Sequence, residues 1–295
     1  MLFRSETSAA IGFLRADHAN CSAILWDNLE RNPDKLAVTG PAGSLTYAQL
    51  VAAAAQWGNA FLRFGLRRGD RIPFFLDDTP AYPAAFFGAV RAGLVPVLLN
   101  TQTNAETLAY FLADTEARLV LCEADLRGAF PDDIVAASGV EKIVIVNGGA
   151  DAPDRIRAEE FLQGLPTDLD CADTSAGDMA FWMYSSGTTG RPKGIMLTHS
   201  NLLRNTEALV DAWGFTENDR LLHALPIFHV HGLFVAIGCA LLSGCGMRWL
   251  PAFDAAQVIK YLPECTVLMG VPTYYTRLLA DRKSTRLNAS HLVIS

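Results

Sequence analysis

Hydrophobic and polar positions in the first half of the chain follow two periods, one typical of helices and one typical of buried strands. Apolar residues at helical spacing predict helices over residues 21–32, 47–64, 80–92 and 105–114. Short apolar runs predict strands at KLAVTG, SLTYAQL, DRIPFFL, VPVLLN, RLVLCE and EKIVIVNGG, and residues 148–173 are predicted to be a polar loop region. Strands that are separated by helices favour parallel sheets with crossover connections. The pattern therefore indicates an α/β fold of mostly parallel sheets flanked by helices.

The second half of the chain continues this alternation around one very polar segment. MAFWMY and KGIMLT are predicted strands, and the segment SSGTTGRPKG between them is too long and too polar for a tight hairpin turn. A helix, NLLRNTEALVDAW, is expected next, with Ser200 or Asn201 as its N-cap. Residues 232–247 are uncharged but shorter than the roughly 18 to 20 residues of a membrane span, so they are predicted to form a buried helix.

Composition excludes several classes of function. The chain has 295 residues, of which 51% are hydrophobic and 19% charged, so it can bury a large core. Its net charge of −7 and the lack of a basic stripe with interleaved aromatic residues argue against a nucleic-acid partner, which leaves small molecules. Six cysteines without a CxxC pair, and a start without a secretory signal, predict reduced thiols and a cytoplasmic protein without a membrane span.

The polar segment has the chemistry of an anion-binding loop. Glycines allow the backbone to turn its N–H groups toward an anion, and serine and threonine hydroxyls add further donors. Lys193 adds a full positive charge, so the segment suits the β- and γ-phosphates of a nucleoside triphosphate. It lacks the Gly-Lys-Ser/Thr ending of a Walker A loop. The alternative interpretation is a flexible surface loop.

The string YSSGTTGRPKG closely resembles the phosphate-loop signature of the adenylate-forming acyl-CoA synthetases, the AMP-binding superfamily. The resemblance extends from LTYAQL through GDR and AVRAGLVPVLLN to VPTYYTRLL. It implies an ATP-dependent acid–CoA ligase that uses ATP, Mg²⁺ and coenzyme A and forms an acyl-adenylate before the thioester. It also implies that the fold is an incomplete large N-terminal domain of the adenylate-forming type. By this resemblance the phosphate-binding residues are Ser185, Ser186, Gly187, Thr188, Thr189, Gly190 and Lys193, with Lys193 also catalytic.

The segment LPIFHVHGL resembles the motif of this family that borders the carboxylate and acyl pocket. Phe228 and His229 match its aromatic and histidine positions, which implies that both bind the acid and that His229 is catalytic. A relative that activates amino acids would carry an aspartate where this chain has His229, so an amino acid substrate is disfavoured. A metal site is the alternative, with His229 and His231 on one face of a strand and His223 nearby. Without a carboxylate or cysteine partner, no metal site is predicted, and His223 and His231 are interpreted as core histidines.

Two resemblances point to different acids. HALPIFHVHGL and TVLMGVPTYYTRLL most resemble malonyl-CoA synthetases, in which Arg277 would pair with the distal carboxylate of malonate. A planar guanidinium suits that carboxylate, although Arg277 could instead be an exposed helix residue. LDDTPAYPAAFFGAVRAGLVPVLLN is more similar to aryl-CoA ligases. The expected function is therefore a ligase of fatty acid metabolism for malonate or a similar short dicarboxylate. The alternatives are an aryl- or fatty acyl-CoA ligase and, from another class, a non-catalytic nucleotide-binding fragment.

Both ends of the chain have an unusual composition. MLFRS at residues 1–5 and DRKSTRLNASHLVIS at residues 281–295 resemble the translation of a sequencing adapter, with a natural variable tail as the alternative for the latter. We therefore expect residues 6–280 to be a partial AMP-binding N-terminal domain, with the C-terminal catalytic domain absent. The family's Tyr-Gly-x-Thr-Glu segment does not occur in the chain. The chain is accordingly predicted to be inactive in acyl-CoA formation and poorly soluble.

Overall fold

Two β-sheets form the centre of the protein. The structure, a computed structural model, describes residues 19–41, 43–150, 152–185 and 191–281. The described strands are β1 (Leu36–Gly40), β2 (Gly43–Thr46), β3 (Arg71–Phe75), β4 (Val95–Leu98), β5 (Leu119–Glu123), β6 (Lys142–Val146), β7 (Arg155–Arg157), β8 (Met179–Ser185), β9 (Lys193–Thr198), β10 (Arg220–His223), β11 (Gly246–Trp249) and β12 (Val267–Leu268). One sheet has five strands in the order β12-β10-β11-β1-β2, and the other has seven in the order β7-β6-β5-β3-β4-β8-β9.

Helices connect most of these strands. The described α-helices are α1 (Ala23–Trp26), α2 (Asn28–Arg31), α3 (Tyr47–Phe64), α4 (Ala81–Arg91), α5 (Ala105–Thr115), α6 (Asp132–Ser138), α7 (Ala158–Leu162), α8 (His199–Trp213), α9 (Cys239–Ser243), α10 (Ala255–Tyr261) and α11 (Pro272–Asp281). A π-helix covers His231–Gly238, and two short 3₁₀ segments cover Ala124–Ala129 and Leu262–Glu264. Within the described ranges, the structure contains no helix with both the length and the apolar character that a bilayer crossing requires.

Strand pairing is parallel throughout both sheets except at two hairpins. β1 pairs with β2 and β8 pairs with β9 in antiparallel fashion, and every other described pair is parallel. Parallel neighbours need long crossover connections, and the helices between the strands supply them. The expected α/β architecture with mostly parallel sheets is therefore confirmed.

The seven-stranded sheet is covered on both faces, as its sequence pattern requires. Phe74 and Phe75 are both fully buried, yet they belong to different core clusters because successive side chains of a strand point to opposite faces. Phe74 joins the large cluster that also contains Val38 and Met247 of the five-stranded sheet. Phe75 packs on the other side with α5 residues such as Phe111. Strands buried on both faces lack polar alternation, which explains the continuous apolar runs in the sequence.

The long helix α3 begins and ends at the predicted residues. The Thr46 side chain accepts a hydrogen bond from the Gln49 amide and the Gln49 side chain accepts one from the Thr46 amide, which forms a capping box. Gly65 ends the helix with a φ of 94°. α3 packs closely on α4, because a Cβ on Gly88 would lie 2.2 Å from the Ala54 carbonyl oxygen.

Several sequence predictions differ from the structure. The region expected to be a polar loop contains β7 and α7, since β7 is a three-residue edge strand whose RIR sequence carries little apolar signal. Helix α8 is capped by Thr198, while the predicted caps Ser200 and Asn201 lie inside its first turn. Residues 232–243 form a continuous, mostly buried helical segment, the π-helix followed by α9, so the predicted buried helix is confirmed there, but residues 244–247 are a turn and the start of β11.

Candidate functional site

The candidate phosphate loop projects from the β8–β9 hairpin. Ser185 and Lys193 are the register pair at the loop end of the hairpin, and the Ser185 hydroxyl donates to the Lys193 carbonyl oxygen over 3.4 Å. β8 also pairs in parallel with β4, so the loop leaves the sheet at the carboxyl ends of these strands. Loops at the carboxyl ends of parallel strands are the usual ligand sites of α/β sheets.

Ser185 and Lys193 flank the candidate phosphate loop. Ser185 is half-buried and Lys193 is exposed, so the Lys193 ammonium group is available to an anion. The other predicted phosphate-binding residues, Ser186, Gly187, Thr188, Thr189 and Gly190, lie outside the described residues.

Helix α5 supports both ends of the loop, which the sequence analysis did not predict. The Tyr184 hydroxyl donates to Asp114 Oδ2 at 2.7 Å, and the Tyr184 ring stacks on Phe111 at 3.8 Å between centroids. On the other side of the loop, the Tyr110 hydroxyl donates to the Pro192 carbonyl oxygen at 3.4 Å. Burial, and then the hydrogen bond to Asp114, raise the pKa of Tyr184, so this phenol stays a neutral donor. The aromatic spacing of α5 resembled that of any amphipathic helix, so no sequence signal separated these contacts from ordinary packing.

A glycine gives the hairpin a close contact directly beside Lys193. A Cβ on Gly194 would lie 2.3 Å from Nε1 of Trp182. The indole ring of Trp182 therefore covers the backbone at Gly194, and any side chain at this position would displace it.

The predicted acyl-pocket residues lie on a turn between β10 and the π-helix. Phe228 is half-buried and His229 is exposed, and their ring centroids are 4.3 Å apart. Gly232 in the next turn has no room for a side chain, because a Cβ there would lie 2.1 Å from the Pro226 carbonyl oxygen. The expectation that His229 and His231 share one face of a strand was wrong, since the close approach at Gly232 folds the segment into a helix.

The two candidate loops share one core. Phe234 of the π-helix stacks on Phe181 of β8 at 5.3 Å between ring centroids, and Phe86 of α4 packs against both rings. The helix that follows Phe228 and His229 is therefore packed directly on the strand that leads into the phosphate loop. This shared packing joins the candidate phosphate loop and the turn of Phe228 and His229 to the same part of the core.

Asp78 joins the acyl-pocket turn to the rest of the fold and was not identified from the sequence. Its Oδ1 accepts a hydrogen bond from the Ile227 amide at 2.8 Å, and its carbonyl oxygen accepts one from Trp249 Nε1 at 2.9 Å. Burial raises the pKa of the Asp78 carboxyl to about 7; the Ile227 amide opposes that rise and the charge of Asp77 adds to it.

The histidines near this turn have different environments. His223 is 1% exposed, its ring lies 4.6 Å from that of Trp249, and burial lowers its pKa to about 3. It is a core histidine, as predicted. His231 is half-buried, and desolvation lowers its pKa; desolvation followed by the charge of His231 also lowers the pKa of His229. Among the described residues, no group of three or more His, Cys, Asp or Glu side chains has an arrangement that could hold a metal ion.

Arg277, the predicted partner of a distal carboxylate, lies on α11 with its side chain exposed. One turn earlier, the Tyr274 hydroxyl donates to the Ala224 carbonyl oxygen at 3.1 Å, which ties α11 to the start of the acyl-pocket segment. Tyr274 also stacks on Phe253 at 3.8 Å. The structure thus brings the helix of Arg277 to the segment that carries Phe228 and His229.

Known proteins resemble this chain along most of its length. The 4-hydroxybenzoate–CoA/benzoate–CoA ligase of Rhodopseudomonas palustris is 35% identical over 257 residues, which cover 85% of this chain and 47% of the relative. The human mitochondrial malonate–CoA ligase ACSF3 is 30% identical over 272 residues, covering 87% of this chain and 45% of the relative. The chain spans about half the length of the curated relatives it matches.

A solved structure is also similar to this chain along most of its length. ATP-bound MatB from Rhodopseudomonas palustris superposes with a TM-score of 0.84 at 38% identity, covering 94% of this chain and 54% of MatB. The family described as "AMP-binding enzyme" matches residues 25–294, a range that includes the β8–β9 hairpin, the turn of Phe228 and His229, and α11. From its sequence and its fold, the chain belongs to the AMP-binding enzyme family.

Proposed function

We propose that this chain carries the ATP- and acid-binding part of an AMP-forming acid–CoA ligase. The observation that supports the proposal best is the β8–β9 hairpin, which presents Ser185 and the exposed Lys193 at the carboxyl end of a parallel sheet. A hydroxyl donor and an ammonium group at the mouth of a glycine-rich loop fit the oxygens of a triphosphate. The segment of Ser186, Gly187, Thr188, Thr189 and Gly190 would supply further N–H and hydroxyl donors.

The proposed reaction has two steps. A carboxylate oxygen attacks the α-phosphorus of ATP, the bond to the β-phosphate bridging oxygen breaks, and acyl-adenylate and pyrophosphate form. The thiol of coenzyme A, having lost its proton, then attacks the acyl carbon, and AMP leaves with the electron pair of the acyl–oxygen bond. Mg²⁺ bound with ATP would offset part of the phosphate charge.

Each residue of this site has a role in bringing two anions together. Lys193 offsets the negative charge that develops as pyrophosphate departs, and Ser185 orients the phosphate chain. Phe228 and His229 border the acid and direct its carboxylate toward the nucleotide, because a small displacement of a reacting oxygen slows the attack strongly. His229 is suited to donate a hydrogen bond, since desolvation and His231 keep its imidazole neutral at physiological pH.

We further propose malonate or a similar short dicarboxylate as the preferred acid, with Arg277 holding the distal carboxylate. The connection of α11 to the acyl-pocket segment through Tyr274 and Ala224 supports this role. In a chimera in which residues 19–281 replace their counterparts in MatB, Arg277→Ala should raise the KM for malonate about tenfold or more and leave the KM for benzoate little changed, whereas Arg277→Lys should recover only part of the affinity for malonate. An equal effect on both acids would contradict the assignment.

An aryl acid is the second candidate, and the 35% identity to a benzoate–CoA ligase favours it. Acid-dependent exchange of labelled pyrophosphate into ATP distinguishes the two candidates directly. We would measure it with malonate and with benzoate, on the 295-residue chain and on a chimera in which residues 19–281 replace their counterparts in MatB. Exchange that depends on malonate supports the first proposal, and exchange that depends on benzoate supports the second.

The 295-residue chain itself is proposed to lack acyl-CoA formation, since it spans about half of its curated relatives. Robust thioester formation by this chain alone would contradict that proposal. ATP binding to both chain and chimera, without exchange for any acid, would instead support a non-catalytic nucleotide-binding protein. A cytoplasmic location and a role in fatty acid metabolism belong to the same proposal.

A further inference from the structure

Asp78 lies at the meeting point of three separate parts of the fold. It follows β3, precedes α4, and contacts segments 149 and 171 residues further along the chain. Its side chain binds the Ile227 amide at 2.8 Å, and its backbone oxygen binds the indole of Trp249, a residue of β11 that is 1% exposed. Hydrogen bonds between segments so far apart in sequence fix how those segments lie relative to one another in the folded protein.

We propose that Asp78 is the positioning residue of the acyl-pocket turn: by accepting the Ile227 N–H, it sets the direction in which Phe228 and His229 face the acid. The inference rests on the proposed function, because it assigns a role within that same site. Asp78 is not proposed to touch the substrate.

The geometry of the turn explains how the bond from Ile227 to Asp78 can set the direction of Phe228 and His229. Ile227 is fully buried and immediately precedes Phe228, so the orientation of its peptide sets the direction of the next side chain. The turn that follows is closed by a longer bond, 3.4 Å from the His229 amide to the Pro226 carbonyl oxygen. The 2.8 Å bond to Asp78 is the shorter of the two and lies well within ordinary N–H···O distances.

The surroundings of the carboxyl group indicate which property of Asp78 is needed. Within the part of the chain that the structure describes, the titratable groups coupled to the Asp78 carboxyl are Asp77, Tyr82 and Tyr274, none of which is a cation. A partly buried carboxyl without a cationic neighbour gains little from its charge. We therefore expect the acceptor oxygen of Asp78 to be the property that matters, and an asparagine side chain supplies an acceptor oxygen too.

Three variants of the 295-residue chain separate acceptor, charge and bulk. Asp78→Ala removes the acceptor, Asp78→Asn keeps an acceptor of the same shape without the charge, and Asp77→Ala is the matched control at the exposed neighbouring residue. The readouts are NMR hydrogen exchange of the Ile227 amide and the NMR titration of the His229 imidazole, with its signal assigned from His229→Gln. Thermal unfolding reports the global stability of each variant.

We expect Asp78→Ala to speed exchange at Ile227 at least about tenfold and to move the His229 pKa up toward its ordinary value of about 6.5. Asp78→Asn and Asp77→Ala should leave both signals within error of the unaltered chain. A loss of stability alone would lower the protection of all core amides together and would not single out His229. The proposal is wrong if Asp78→Ala leaves both signals unchanged, or if Asp78→Asn behaves like Asp78→Ala.

Two further measurements test the proposal if Asp78→Ala does not fold or if the NMR signals need an independent check. If Asp78→Ala does not fold, the unaltered chain still tests the bond, because an unprotected Ile227 amide in folded protein would overturn the proposal. In the MatB chimera, Asp78→Ala should raise the KM for the acid about tenfold with the KM for ATP within about twofold. Equal changes in both constants would also overturn it. If the chimera shows no acid-dependent exchange, the proposed function fails, while the two NMR signals still decide whether Asp78 positions the turn.

Discussion

At the scale of single residues, the position beside Lys193 has no room for a side chain unless the Trp182 ring moves. A Cβ at Gly194 would meet the Trp182 ring at 2.3 Å from Nε1 and 2.6 Å from Cε2 and Cζ2. Gly194→Ala should therefore lower the free energy of unfolding by about 1–3 kcal/mol, because the indole must move within a paired strand. Gly177→Ala is the matched control, since no atom lies within 4 Å of a Cβ there, and should change stability by less than about 0.5 kcal/mol. Urea unfolding measures both, and equal effects would contradict the assigned contact.

A second prediction at this scale concerns pH. Burial lowers the pKa of His223 to about 3, so the unfolded chain binds a proton at this residue more readily than the folded chain does. The stability that His223 contributes is complete above about pH 6.5 and is lost as the pH falls toward 3. His223→Phe, which keeps a ring against Trp249, should therefore gain about 2–3 kcal/mol relative to the unaltered chain between about pH 7.5 and about pH 4.5. Urea unfolding at the two pH values measures this difference, and parallel stability curves would refute it.

At the scale of elements, α8 connects the candidate phosphate hairpin to the core. Its capping box joins the Thr198 side chain to the Asn201 amide and the Asn201 side chain to the Thr198 amide. Thr198→Ala should cost about 1 kcal/mol of stability, and Thr198→Ser should recover most of it. Ser200→Ala, at one of the two caps predicted from sequence, should cost less than about 0.5 kcal/mol. Thermal unfolding distinguishes the two positions, and a larger loss at Ser200 would restore the original assignment.

At the scale of the whole molecule, β9 is one of the two edge strands of the seven-stranded sheet and carries two exposed apolar side chains. Ile195 is 40% exposed and Met196 is 58% exposed. An exposed apolar edge promotes pairing with another chain, so the protein should self-associate as its concentration rises. Met196→Lys should shift sedimentation toward the monomer, because lysine on an edge strand opposes such pairing. Leu62→Lys, at a 42% exposed position on α3, is the control. Equal effects of the two variants would show that added charge, and not the sheet edge, controls association.

The sequence predicted much of the fold because the strongest signals are local. The boundaries of α3 and the alternation of strands and helices depend on residues a few positions apart. The same local reasoning predicted a strand for His229 and His231 and missed β7. In the first case the close approach at Gly232 prevents a strand, and in the second the strand is too short and polar to give a signal.

What the sequence by itself determined about this protein is its fold class, its family resemblance and the composition of its candidate phosphate loop. Those properties follow from the periodicity of apolar residues and from one continuous string of residues. Only the tertiary structure decided that α5 supports both ends of that loop and that Asp78 holds the turn of Phe228 and His229. Tyr184 and Asp114 are 70 residues apart, and Asp78 and Ile227 are 149 apart. Contacts over such distances arise when sheets and helices pack, so no local pattern records them.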